Sequence, residues 1–270
     1  MPELPEVESF VLALKREYAG KRLSDLRLHR KDLRFPFDKS ALHKIFSQGS
    51  VFLEPRRVAK QLVLSTENGM VAVSLGMSGS FLPSSYPKLT LHEHVTLLFE
   101  DGSALAYVDP RRFGFWKPVS TLTEVSTAAD PLSSASLSEV FSSSAFVSSQ
   151  RSIKDALMDQ NLIGGLGNIY AVEALFRAGV SPFRKCSGVT RREFAKLTLI
   201  IPELLMQAID AGGSTISTYR RLHGESGGFQ ELHLVYGRDG EQCSKRGCKG
   251  TLRRQTQTGR SSWWCPRCQK

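Results

Sequence analysis

The sequence predicts an α+β protein built from more than one domain. Three observations carry that expectation: alternating apolar patterns broken by turn dipeptides over about residues 22–118, helical spacing over about 151–211, and four cysteines crowded into the last thirty residues. At 270 residues the chain can bury a real core, as one large domain or two smaller ones. Its expected organisation is a strand-rich region over 1–130, a serine-rich linker over 131–150, a helical region over 151–240 and a cysteine module over 241–270.

The first element is a helix. In MPELPEVESF, Pro5 and Glu6 suit a first helical turn, where a missing N–H costs nothing and an acid complements the dipole. Val7, Phe10, Val11, Leu14 and Tyr18 then recur at helical spacing, and Gly20 can stop the run. Pro2 and Glu3 play no part in that account. The strand region carries two hairpin signals, VLSTENGMVAVSL with Asn68-Gly69 and VTLLFEDGSALAYV with Asp101-Gly102. The alternation around both predicts antiparallel sheet packed on one face. The stretch DPLSSASLSEVFSSSAFVSSQ predicts a surface linker with room for a short helix around Leu137, Val140 and Phe141. Three helical segments follow, SIKDALMDQNLI, NIYAVEALFRAG and TRREFAKLTLIIPELLMQAIDAG, with IGGLGN between the first two and Gly179 and Gly212 as stops. A loop rich in glycine and charge, RRLHGESGGFQ, leads to the cysteines.

The formal charge of +10 and pI near 9.5 point to a polyanionic partner, nucleic acid before membrane surface. No apolar run approaches the ~18–20 residues of a membrane span, and no apolar signal region follows Met1, so an intracellular, soluble protein is expected. Cys186 stands alone and is expected to be a buried or inert thiol. Cys243, Cys248, Cys265 and Cys268 fall as two close pairs separated by a hairpin-length span, which favours one structural zinc ion over disulfides or reactive thiols. From Lys245 to Lys270 there are eight Lys or Arg and no acid, a phosphate-binding surface if mounted on a rigid hairpin. Trp263 and Trp264 require something to pack against.

Other stretches gain meaning in that setting. IGGLGNIY offers a tight turn and a helix N-terminus, with Asn168 a donor at the turn, although a glycine turn between helices is more often purely structural. Met77, between Gly76 and Gly79, can project as an apolar wedge of the kind that opens duplexes. Arg111, Arg112 and Phe113 combine cation and aromatic, suited to a groove, a phosphate or an unstacked base. Each also has a bland reading, with Met77 and Phe113 in the core and the arginines solvated. At the chain start, removal of Met1 would leave Pro2 with a secondary α-amine, whose class titrates near 7.7–8.0 and so is partly neutral at cellular pH. Such an amine can attack a sugar carbon to give an iminium, with Glu3 beside it to move protons.

With these residues in place, the sequence resembles the formamidopyrimidine-DNA glycosylase family nearly end to end, through MPELPEVE, RRVAKQLVL, LGMSG, HEHV, DPRRFG, GGLGNIYA, VYGR and the cysteine module. The resemblance implies a two-layer antiparallel β-sandwich with flanking helices, a helix-two-turn-helix domain and a C-terminal zinc finger. It implies a bifunctional enzyme of base excision repair that excises oxidised purines, 8-oxoguanine opposite cytosine and ring-opened purines, and nicks the strand by β,δ-elimination. The implied partner is double-stranded DNA carrying oxidised bases or abasic sites; the asymmetric layout of the motifs fits a monomer. Residue by residue, it makes Pro2 the Schiff-base nucleophile, Glu3 the general acid and Glu6 a supporting hydrogen-bond partner. Lys60 is implied to contact phosphate and assist β-elimination. Met77, Arg111 and Phe113 would fill the gap left by the everted nucleotide, Arg111 facing the orphaned cytosine. Asn168 and Arg260 would hold phosphates beside the lesion, Arg260 also serving δ-elimination, and His92 and Lys154 would add DNA contacts.

Two departures stand against the family pattern. The first cysteine pair is C-x4-C where the family usually has C-x2-C. HGESGGFQ replaces a lesion-capping loop that more often has a Pro-Gly-Tyr-Phe core, which bears on the preferred lesion. A sister reading, the endonuclease VIII branch acting on oxidised pyrimidines, is opposed by Leu4, Met77 and Phe113. A non-catalytic damage-binding protein is opposed by Pro2, Glu3 and Lys60.

Overall fold

Helix α1 (Leu4–Tyr18) forms where its apolar spacing and Pro5 predict it. Glu3 is its N-cap, and the Glu6 carboxylate reaches back to accept the Glu3 N–H at 2.8 Å, which satisfies a donor the helix leaves open. Beyond it come β1 (Leu23–Leu28) and α2 (Lys39–Ile45). The second is a helix inside the stretch expected to be strand throughout: Asp38 caps it by accepting the Ala41 N–H at 3.0 Å, a local signal stronger than the surrounding alternation. Strands β2 (Arg56–Val58), β3 (Gln61–Thr66), β4 (Gly69–Ser74), β5 (Ser80–Pro83), β6 (Glu93–Phe99), β7 (Ala104–Val108) and β8 (Phe115–Val119) complete the region. The computed structural model describes residues 2–214 and 222–270.

The chain divides into two compact units, Met1–Ser126 with Ala211–Gly228, and Thr127–Asp210 with Phe229–Lys270. The first is a β-sandwich of two four-stranded antiparallel sheets, ordered β1-β6-β7-β5 and β2-β3-β4-β8. Both expected hairpins are present, β3 with β4 and β6 with β7. The period-2 alternation sends Leu62 and Leu64, Val71 and Val73, Val95 and Leu97, and Leu105 and Tyr107 into one core, which α1 joins through Val7, Phe10, Val11 and Leu14. Phe81 lies at its centre, with ring centroids 5.4 Å from Tyr107 and 6.1 Å from both Phe10 and Trp116.

The second unit begins with the serine-rich stretch, where composition predicts a linker holding a short helix. It contains α3 (Ser134–Ser142) and α4 (Ser144–Val147). The serines are caps and surface; Leu137, Phe141 and Phe146 are buried, and Phe141 and Phe146 pack on Phe194 at 5.2 and 6.0 Å. Next come α5 (Ile153–Leu157), α6 (Asn168–Ala178), which Gly179 ends as expected, and α7 (Arg191–Asp210). The cysteine module forms a hairpin of β9 (Arg253–Gln257) and β10 (Arg260–Trp264). Trp263 and Trp264 find their partners: Trp263 packs on Tyr236 at 4.3 Å and donates to Asp239 at 2.9 Å, while Trp264 meets Phe183 edge-on at 4.7 Å.

A buried carboxylate joins α6 to the segment before the finger. Glu173, wholly buried, accepts the backbone N–H groups of Leu234, Val235 and Tyr236 at 2.9–3.1 Å. Burial pushes its carboxyl up, and those three amides pull the other way. Beside it, His233 is 6% exposed, and burial holds its imidazole down at about 4 against an ordinary 6.5. Between those two values the unfolded chain binds the extra proton, so stability is lost as pH falls from about 6.5 through 4. The expected loss is up to about 3 kcal/mol. Urea denaturation at pH 7 and pH 4.5 checks this, and His233→Phe should remove that part of the pH dependence.

Candidate active site and nucleic-acid interface

At the chain start, Pro2 is buried and Glu3 is 4% exposed. What holds them is Glu6, 2% exposed, whose two carboxylate oxygens serve different segments: Oε2 accepts the Glu3 N–H at 2.8 Å and Oε1 accepts the Ser214 N–H at 2.8 Å. One side chain thereby ties the chain start to the loop after α7. Lys60, half-buried, sits in the two-residue turn between β2 and β3, where Val58 pairs with Gln61.

Met77, Arg111 and Phe113, each a bland core or surface candidate by sequence, are exposed at loop tips: Met77 by 42% and Phe113 by 45%, with the Arg111 guanidinium stacked 4.7 Å from the Phe113 ring. Their two loops touch. A Cβ on Gly76 would come within 2.5 Å of the Phe113 carbonyl carbon, and one on Gly114 within 1.8 Å of the Tyr107 hydroxyl. The residue that ties them is Asp109, fully buried and unmarked by any motif argument except its place in DPRRFG. Its Oδ1 accepts Ser78 Oγ at 2.5 Å and its Oδ2 accepts the Gly114 N–H at 2.8 Å. Ser78 Oγ in turn accepts the Arg111 N–H at 3.1 Å. The Asp109 N–H donates to the His92 carbonyl at 3.1 Å, and its own carbonyl binds His94 Nε2 at 2.8 Å. His92 is exposed, and the loop before it is held by buried Glu93, which accepts Thr90 N–H and Ser84 Oγ at 3.0 Å each.

In the second unit, Asn168 opens α6 and donates through Nδ2 to the Ser261 carbonyl at 3.0 Å. Lys154, expected among the DNA contacts, is 1% exposed, with Nζ donating to the same carbonyl at 3.1 Å and to Ser262 Oγ at 2.7 Å. Both therefore hold β10 in place. Arg260, exposed, stands first in β10, just past the Thr258-Gly259 turn. Among the described residues, the non-glycine positions in the left-handed region are Ala59, His92, Arg112 and Thr258. Every one is, or lies within two residues of, a predicted site residue, the distribution expected where backbone strain is kept for function.

The four cysteines of the finger converge with all Sγ atoms within 4.8 Å of one another, and with Cys243–Cys268 at 3.8 Å and Cys248–Cys265 at 3.6 Å. A tetrahedral ion with metal–sulfur bonds of about 2.3 Å needs sulfurs about 3.8 Å apart. Burial pushes the Cys265 thiol up, but the Cys268 and Arg267 amides and its sulfur neighbours outweigh that and hold it at about 7. The donor set fits a thiolate metal site, and the longer first spacing does not prevent it.

The pinning of the chain start is open to test. Glu6→Gln keeps the shape but offers one strong acceptor in place of two, so amide exchange at Glu3 and Ser214 should rise about tenfold or more while β3 amides keep their protection. Exchange measured by NMR checks it.

Comparison with known proteins follows the same lines. Residues 1–116 match the formamidopyrimidine-DNA glycosylase N-terminal domain, and residues 127–220 match the formamidopyrimidine-DNA glycosylase H2TH domain. The chain is 41% identical to the formamidopyrimidine-DNA glycosylase of Gluconobacter oxydans, over 100% of both sequences. Among solved structures it is similar to the MutM (Fpg) protein of Thermus thermophilus, with 37% identity, a TM-score of 0.84 and coverage of 99% of this chain and 98% of that one. It is also similar to a Lactococcus lactis Fpg mutant in complex with Fapy-dG-containing DNA, with 28% identity, a TM-score of 0.86 and full coverage of both. With this sandwich, these helices and this four-cysteine hairpin, the chain belongs to the formamidopyrimidine-DNA glycosylase family.

Proposed function

We propose that this protein is a DNA glycosylase and AP lyase that removes 8-oxoguanine and formamidopyrimidines from duplex DNA inside the cell and cleaves the strand. Relatives solved with Fapy-dG, carbocyclic 8-oxo-G and abasic-site DNA support the substrate class. The observation that supports the reading is the pinned chain start, because Glu6 holds the backbone at Glu3, beside Pro2, in one fixed place.

In the proposed chemistry Met1, which lies outside the described residues, is removed and Pro2 carries a secondary amine. Its lone pair forms a bond to C1′ of the lesion nucleotide as the C1′–N9 bond breaks and the base leaves with the bonding electrons and a proton. Glu3 protonates the sugar ring oxygen, so the ring opens and an iminium links Pro2 to C1′. The iminium acidifies the C2′ proton, and its loss, assisted by Lys60, expels the 3′ phosphate. Loss of the 5′ phosphate follows in the same sense, assisted by Arg260. Water then releases Pro2. Met77, Arg111 and Phe113 occupy the space the nucleotide leaves, and its extrusion is cheapest where a lesion already weakens stacking or pairing.

Asn168, Arg260 and His92 would meet the phosphate backbone. Lys154, buried against β10, would act on DNA by shaping the finger that carries Arg260. Cys243, Cys248, Cys265 and Cys268 would hold one zinc ion, which supplies structure to the hairpin.

Borohydride reduction of a reaction on an 8-oxoguanine duplex should trap a covalent protein–DNA adduct, and Pro2→Gly should abolish most of it. Full trapping in that variant refutes the N-terminal nucleophile. Chelation that strips the metal should weaken DNA binding at least tenfold and abolish near-UV signals from Trp263 and Trp264. Unchanged affinity after verified metal loss refutes the finger's part in binding.

A further inference from the structure

Asp109 does something no motif argument required of it. Its side chain links the Ser78 hydroxyl to the Gly114 amide, and Ser78 passes the connection to the Arg111 amide. The main chain of the same residue bonds the His92 carbonyl, the His94 ring and the Arg112 N–H. Tyr107 completes the arrangement: its hydroxyl donates to the Ser74 carbonyl at 3.1 Å and fills the space left by the missing side chain of Gly114. Burial, and the Asp109 carboxylate beside it, keep that phenol protonated. Loop 74–79 and loop 109–114 are thus one body with a buried carboxylate at its centre.

The consequence lies at Arg111. A guanidinium has donors only, in a planar fork. Cytosine presents two adjacent acceptors, O2 and N3, on its pairing edge; adenine presents an acceptor beside an amino group that is itself a donor. A fork held in one orientation gains two bonds from cytosine and meets a donor on adenine. A fork on a loose loop turns away from the clash and loses the distinction. Resting on the reading that Arg111 faces the orphaned base, we propose that Asp109 is a positioning residue for opposite-base discrimination: its carboxylate locks the Met77 loop to the Arg111–Phe113 loop, so that Arg111 meets the unpaired base with a fixed orientation.

Single-turnover excision of 8-oxoguanine opposite cytosine and opposite adenine tests this in the wild-type protein, Asp109→Asn and Ser78→Ala. Asp109→Asn replaces a charged acceptor with an amide that has one acceptor oxygen, and Ser78→Ala removes the hydroxyl that carries the link to Arg111. The cytosine-to-adenine rate ratio should fall about tenfold in the first and at least threefold in the second, the scale of one bidentate base contact. A purely structural defect lowers both rates together and leaves the ratio where it was. An unchanged ratio in folded Asp109→Asn overturns the proposal; where that variant does not fold, an unchanged ratio in Ser78→Ala does so. A wild-type protein that excises from neither duplex overturns the functional reading and this inference with it, whereas an active wild type with ratio-neutral variants overturns the inference alone.

Discussion

The Glu6 carboxylate is the interaction on which the placement of the chain start depends. A chain terminus is ordinarily the least ordered part of a protein, because few contacts offset the entropy of fixing it. Here one buried side chain on the first turn of α1 commits its two oxygens to two backbone amides, one next to Pro2 and the other in the loop after α7. The helix supplies a rigid mount, since α1 is packed into the sandwich core by Val7, Phe10, Val11 and Leu14. In the proposed chemistry, such placement is what lets an amine approach a sugar carbon to within bonding distance.

The same device recurs away from the chain start. Asp109 serves loop amides and a hydroxyl in the first unit, and Glu173 gathers three consecutive amides in the second. In each case a carboxylate with few sequence neighbours organises irregular backbone that neither helix nor sheet can satisfy. Charge-assisted bonds to backbone donors are among the stronger ones available, and they let exposed loops keep one shape. The loops that carry Met77, Arg111 and Phe113 are therefore exposed at their tips and rigid at their roots.

How much of this was legible in the sequence divides along the same line. Hairpins at Asn68-Gly69 and Asp101-Gly102, the start of α1 and the cysteine cluster are written in local pattern, and the structure has them. Helix α2 was hidden because a single capping aspartate sits within a strand-like background. The serine-rich stretch reads as linker because its large buried side chains, Leu137, Phe141 and Phe146, are outnumbered by serines that face water or cap. The roles of Asp109 and Glu173 are invisible in one dimension, since their partners lie up to 31 and 63 residues away. Lys154, which the family resemblance makes a DNA contact, is buried with its ammonium bound to Ser261 and Ser262, an arrangement no local pattern in the sequence reveals.

The left-handed residues at Ala59, His92, Arg112 and Thr258 carry a lesson for mutational scanning of this family. An alanine at Arg112 deletes the cation and keeps the conformational cost, which for an L-residue is about 1–2 kcal/mol. A glycine there deletes the same cation and releases the cost. The difference between the two substitutions, less the greater unfolded-state entropy of glycine, reads how much the backbone, and not the side chain, costs in holding the loop in its shape.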